Sequence, residues 1–139
     1  MNFETFKNYY ADTMMHYQCI ENDIKLIYAF MLAGAINDNF ENIENKTLGV
    51  MIALLERLDY LDDKPYISRG DYKFLKKICN KRNYWAHQAF VDFIYIKDWH
   101  CSKEYEDICR SLENDREEVV RAASILEKMR LEYCKRHKR

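Results

Sequence analysis

Arg82 and His87 close the segment Arg82-Asn83-Tyr84-Trp85-Ala86-His87, which lies in a stretch of strongly helical composition. A guanidinium holds phosphate through a planar fork of donors, and an imidazole moves protons near neutral pH. Together they form a minimal kit for cutting RNA without a metal. The implied chemistry is attack of a ribose 2'-OH on the adjacent phosphate. His87 would serve as general base or acid, and Arg82 would stabilise the charge that builds on the phosphate oxygens. The need for a 2'-OH makes RNA, not DNA, the substrate. On an α-helix Arg82 and His87 stand about 140° apart, with Cα atoms roughly 9 Å from one another. A phosphodiester fits between them, and the splay suits a groove or a subunit interface better than a tight dyad. Asn83 precedes His87 by one helical turn, so its amide is placed to fix the imidazole tautomer.

The elements that must position these residues are helical. The chain of 139 residues fits one domain, 1–139, large enough to bury about 68% of the surface its unfolded form exposes. With 3 Gly and 1 Pro it has few breakers, and 32% charged residues suit long solvated helix faces. The expected fold is all-α, a four- to five-helix up-and-down bundle. A net charge of -1 excludes a general nucleic-acid coat protein, so any RNA contact must come from a local patch. The N-terminus Met1-Asn2-Phe3-Glu4 has the marks of neither a signal peptide nor a membrane anchor, which implies a cytoplasmic location. Cys19, Cys79, Cys101, Cys109 and Cys134 form no Cys-x-x-Cys pair and read as reduced, mostly structural thiols. His100 and Cys101 near Cys109 lack the paired spacing of a zinc site, so no metal or other cofactor is expected.

Apolar periodicity predicts a first long helix from about Asp12 to Ala35, through Met14, Tyr17, Ile24, Tyr28 and Met31. A polar connection, Asn37 to Asn42, leads to a second helix from about Thr47 to Tyr60, and Asp62-Asp63-Lys64-Pro65 ends it. Ser68 and Asp71 resemble a capping box that opens the third helix. Its stripe reads Leu75, Cys79, Arg82, Ala86, Ala89, Phe93 and Ile96, although Val91 to Trp99 is rich in aromatic and β-branched residues. The last helix carries Tyr105, Ile108, Leu112, Asp115, Val119, Ala122, Leu126, Met129 and Tyr133 in heptad spacing.

Three charges interrupt these stripes: Glu21, Arg82 and Asp115. Buried charges are costly unless paired, so the three read either as a network that includes Arg82 or as charges at the stripe edges that reach water through long side chains. Hairpin arithmetic across residues 99 to 101 brings Asp115 within about one turn of Arg82. Arg69, Lys73, Lys77 and Lys81 recur every four residues toward the motif. They read either as a track for an RNA backbone or as a solvated helix face. Tyr84 and Trp85 read either as base-stacking platforms or as core or interface aromatics. The basic end Lys135-Arg136-His137-Lys138-Arg139 reads as a frayed terminus.

The Arg-x4-His pattern, with a polar residue directly after the arginine and a place in the third of four predicted helices, resembles the Arg-x4-6-His motif of the HEPN superfamily. The resemblance is most specific from about Ser68 to Phe93 and elsewhere rests on helix order and length. It implies an HEPN-like bundle and a metal-independent endoribonuclease that leaves a 2',3'-cyclic phosphate. A role as toxin or phage-defence effector is implied with it, as are a homodimer whose motifs form one composite site and a possible antitoxin partner. An alternative within the same resemblance is a non-catalytic module that binds RNA or protein. Glu21 matches loosely the acidic or polar residue often found on the family's first helix, which makes it a second candidate partner of Arg82. Ala89 stands where related toxins often carry a modified tyrosine, so the resemblance does not extend to that modification.

Overall fold

Asn2 opens the first helix, its side-chain oxygen accepting from the Thr5 N–H at 2.8 Å. In this computed structural model, which describes residues 1–137, α1 spans Phe3–Met31, α2 Ile36–Ile43, α3 Leu48–Asp59, α4 Arg69–His87 and α5 Lys103–Arg136. A short 3-10 turn, Trp99–Cys101, precedes α5.

α1 starts earlier than its periodicity suggested, because the apolar line continues upstream through Phe6 and Thr13 into Tyr17, Ile20, Ile24 and Ile27. Met14, Tyr28 and Met31 flank this line and are only partly buried. Ala35 lies beyond the helix, which stops before Gly34, whose φ of 105° suits glycine. The expected polar connection at 37–42 is instead part of α2, with Ile43 buried. Asn39 on α2 donates to the Ala29 carbonyl, and Lys25 on α1 reaches the Glu44 carbonyl at 2.7 Å, so α2 folds back along α1. Thr47 caps α3, and Leu48, Met51, Ile52 and Leu55 face inward, while Leu58 is only half-buried. Ser68 accepts from the Asp71 N–H to start α4.

α4 is shorter than expected. It ends at His87, and residues 88–98 run through consecutive turns, so Ala89, Phe93 and Ile96 do not continue a helical stripe. Aromatic and β-branched side chains in this segment disfavour helix, and Ala89 and Phe93 reach the core from the turns instead. Asp98 adopts left-handed backbone at φ 54° before α5 begins. α5 matches its predicted stripe from Tyr105 to Met129, all buried, with Tyr133 at its edge.

The helices alternate in direction. α3 and α4 form an antiparallel hairpin, with Glu56 bonded to Lys76 and Asp59 to Tyr72. α4 and α5 are antiparallel too, with Lys77 against Glu118 and Lys81 against Asp115. α1 and α5 therefore run parallel, and they stay in register along their length. Tyr105 bonds the Met1 carbonyl, Arg116 bonds Asp12 and Tyr133 bonds the Phe30 carbonyl, at sequence separations of 104, 104 and 103. Phe6, Trp85, Phe93 and Tyr105 pack ring on ring at one end of the core, and Ile24, Met51, Leu55, Leu75 and Leu126 fill the other. No described helix is long and apolar enough to cross a membrane. All five cysteines are free, but only Cys79 and Cys109 are buried; Cys19, Cys101 and Cys134 are exposed, so a structural role fits two of the five.

Asp59 locks the α3–α4 connection. Its buried carboxylate accepts from the Tyr66 N–H at 2.8 Å, the Ile67 N–H at 3.1 Å and the Tyr72 hydroxyl at 2.7 Å. Burial, reinforced by this bond, pushes the Tyr72 hydroxyl to a higher pKa. Asp59→Ala would leave two buried donors and one partly buried donor without an acceptor and is expected to cost about 3–5 kcal/mol in thermal unfolding. A loss below about 1 kcal/mol would mean that the connection is held by apolar packing alone.

Candidate functional site

Trp85, in the middle of the motif, determines how α4 sits. It is buried, and its indole N–H donates to Asp115 Oδ2 on α5 at 2.8 Å. Asp115 is 2% exposed, and its other oxygen has the Lys81 ammonium at 3.5 Å. That oxygen accepts no hydrogen bond, and neither do the neighbouring buried oxygens of Tyr17 and Glu118. Burial, and then the nearby Asp115 and Glu118 carboxylates, hold the Tyr17 hydroxyl well above its ordinary pKa.

Asp115 is thus not the partner of Arg82. Hairpin arithmetic matched the level but not the face. Successive helix residues point about 100° apart, so Lys81 and Trp85 turn to α5 while Arg82 turns away. The core line of α4 runs through Leu75, Ile78, Cys79 and Trp85, and Arg82 lies at its border. The Arg82 guanidinium is directed toward α1, with Nη2 3.8 Å from Glu21 Oε2; the side chains are 31% and 21% exposed. Glu21 also faces Lys25 at 3.6 Å, one turn along α1. Arg82 Nη1 donates to Asn83 Oδ1 at 3.2 Å. The arginine is held from two sides yet keeps donors open to solvent.

Asn83 therefore steadies Arg82 and not His87. Its amide nitrogen contacts the Cys79 sulfur at 4.0 Å, and no bond to the imidazole forms. Burial pushes the Cys79 thiol up; Arg82 pulls it down and Glu21 pushes it up, by less. His87 is the last residue of α4, exposed to solvent.

The backbone around His87 is clamped. The Gln88 and Ala89 N–H groups both donate to the Tyr84 carbonyl, at 2.8 and 3.1 Å. The Trp85 carbonyl accepts from the Tyr10 hydroxyl of α1 at 3.0 Å instead. Asp92 straps the following turn to the helix, accepting from Tyr84 at 2.7 Å and Gln88 at 2.9 Å. The Gln88 bond and then the Tyr84 bond lower the Asp92 pKa. Burial, followed by the Asp92 bond, raises that of Tyr84. Neither Tyr10 nor Asp92 stood out in the sequence, because each acts on a distant or irregular piece of backbone that no periodicity marks.

Trp85 cannot stack on a base from its buried place, and Tyr84 is half-buried with its hydroxyl committed to Asp92. The basic row is largely committed as well. Arg69 bonds Glu56 and lies over the Tyr60 ring, Lys77 pairs with Glu118 and Lys81 with Asp115. Lys73 alone in the row is exposed and without an acidic partner among the described residues. At the C-terminus Arg136 bonds the Lys64 carbonyl and lies over Tyr66, so α5 is anchored there; Lys138 and Arg139 lie outside the described residues. Among the described residues no three His, Cys, Asp or Glu side chains come together as metal ligands would. Comparison with protein-family models, curated proteins and solved structures finds no match to this chain.

The two acids should separate on substitution. Asp115→Ala leaves the Trp85 N–H without its acceptor and Lys81 without its pair. The expected cost is about 2–3 kcal/mol, short of a fully buried pair because Lys81 reaches solvent. Glu21→Gln acts on a longer, partly exposed pair and should cost under about 1 kcal/mol. Thermal unfolding followed by tryptophan fluorescence measures both; equal losses would contradict this division of labour.

Proposed function

We propose that the chain is a metal-independent endoribonuclease of the HEPN type, acting as a toxin or phage-defence effector. The observation that carries this reading is the pairing on α4 of a half-exposed arginine, held by Glu21 and Asn83, with an exposed histidine at the helix end. The Arg-x4-6-His resemblance leads one to expect such a pair on this helix, and Glu21 corresponds loosely to the acidic or polar residue of the family's first helix.

In this mechanism His87 removes the proton from a ribose 2'-OH, and the 2'-oxygen attacks phosphorus. The bond to the 5'-oxygen breaks, a protonated imidazole supplies the proton to that leaving oxygen, and a 2',3'-cyclic phosphate remains. Arg82 takes the charge growing on the non-bridging oxygens. The splay of the two side chains favours a homodimer in which two motifs complete one site. Val91, Ile94 and Tyr95, exposed in the segment just after the motif, offer apolar surface for a second copy to bury. An antitoxin protein would be a further partner.

One observation favours a second reading, a non-catalytic module that binds RNA or protein: His87 has no orienting partner among the described residues, and Asn83 is engaged by Arg82. Cleavage assays separate the two. Arg82→Ala and His87→Ala should each reduce cleavage of RNA in EDTA by about 10²–10⁴-fold, with little change in melting temperature. A single 2'-deoxy substitution at the cut site should block it. Cleavage that requires added metal, or survives both changes, would rule the nuclease out; binding without cleavage would establish the alternative.

Assembly provides an independent check. Light scattering at micromolar concentration should report a dimer, and mixing the inactive Arg82→Ala and His87→Ala proteins should restore activity through mixed sites. A monomer with full activity would refute the shared site.

A further inference from the structure

A recess of about 750 Å³ opens between the C-terminal halves of α1 and α5, and none of the motif residues lines it. Its size falls within the roughly 300–1,000 Å³ of sites that take small ligands. Ile27 and Leu126 form a buried floor, while Leu26 and Phe30 line the recess and remain exposed. An apolar lining with a few polar groups at the rim is the usual composition of a ligand site.

The polar groups point to a charge sign. The parallel register that pairs Asp12 with Arg116, at a separation of 104, brings Glu127 level with Asp23 across the recess. Neither carboxylate has a cationic partner among the described residues, which is also true of the exposed Glu104, Glu113 and Glu117 on α5; Asp23 and Glu127 differ from these in lining the recess. Arg130, one turn further along α5, also lines the recess, so among the described lining residues two carboxylates stand against one guanidinium, a net negative charge. His137 is occupied with the Tyr66 hydroxyl at 3.2 Å and the Tyr133 ring at 4.4 Å. A second copy of this face is a poor occupant, because two concave surfaces set against each other enclose a void, not a packed contact.

We propose that this recess binds small amphipathic cations. An amine or quaternary ammonium head sits between Asp23 and Glu127, and an alkyl or aromatic body lies on Leu26, Phe30 and Leu126. The proposal is independent of whether the chain cuts RNA. Burial of the apolar body supplies affinity, and the two carboxylates select the sign of the head.

Decyltrimethylammonium, kept below its micelle concentration, is the probe, titrated into the full isotopically labelled chain and followed by NMR and calorimetry. Saturable one-to-one binding is expected, with shifts confined to residues 23–30 and 123–134. Decanoate, which has the same chain length and the opposite charge, should bind at least about tenfold more weakly. The double variant Asp23→Asn, Glu127→Gln should lose about tenfold in affinity for the cation, the order of two solvent-screened charge attractions removed together. Its melting temperature should stay unchanged, since both side chains reach the surface.

Three results would overturn the proposal. The first is no saturable binding of the cation. The second is equal affinity for decanoate or no effect of the double variant, which would make the uptake a general property of apolar surface. The third is movement of the same resonances with protein concentration alone, which would make the recess a contact between chains.

Discussion

A carboxylate shut away from water dictates the rotation of the helix that carries the motif. Asp115 sits in the apolar line of α5, where an uncompensated charge would cost several kcal/mol. Its compensation comes from Trp85 and Lys81, four residues apart and so on one face of α4. Only one rotation of α4 presents both to α5. In that rotation Arg82, three residues before Trp85, faces α1, and His87, two residues after it and about 200° away, faces solvent. Where the motif looks is thus a consequence of where one buried charge finds its partners.

The parallel pair α1 and α5 gives that rotation a rigid frame. Contacts at nearly constant sequence separation run from Met1 to Phe30 along α1, a length of roughly 44 Å, so neither helix can slide without breaking several bonds together. α4 packs antiparallel against both, taking Glu21 from one and Asp115 from the other. The Tyr10 hydroxyl and the Asp92 carboxylate then hold the place where α4 stops. Asp59, accepting two backbone N–H groups and a hydroxyl, performs the same service for the loop that leads into α4.

Competition among neighbouring donors and acceptors explains how the motif's polar residues are divided. Asn83 has both Arg82 beside it and His87 one turn on, and the guanidinium takes its oxygen. A charged donor forms the stronger bond to a neutral acceptor, which favours this outcome over a bond to an imidazole that also has water available. Most lysines and arginines that line up toward the motif are likewise drawn to acids on α3 and α5. The basic row is largely a set of cross-links between helices.

Much of the fold was legible in the sequence. The scarcity of Gly and Pro, the apolar period of α5 and the cap at Ser68 are local signals with local causes, and the helices follow them. The motif residues and the three charges that interrupt apolar stripes were also readable, because an unusual residue type at a core position is visible in one dimension. Partner choice was not. Glu21 and Asp115 both qualified as partners of Arg82 until packing turned each face of α4 toward a different helix. The end of α4 at His87 and the strap at Asp92 were equally hidden, since each depends on contacts between distant or irregular segments. Periodicity reports which side of a helix is apolar. Which neighbour that side meets, and at what rotation, is decided only when buried charges and aromatic rings must be satisfied together in three dimensions.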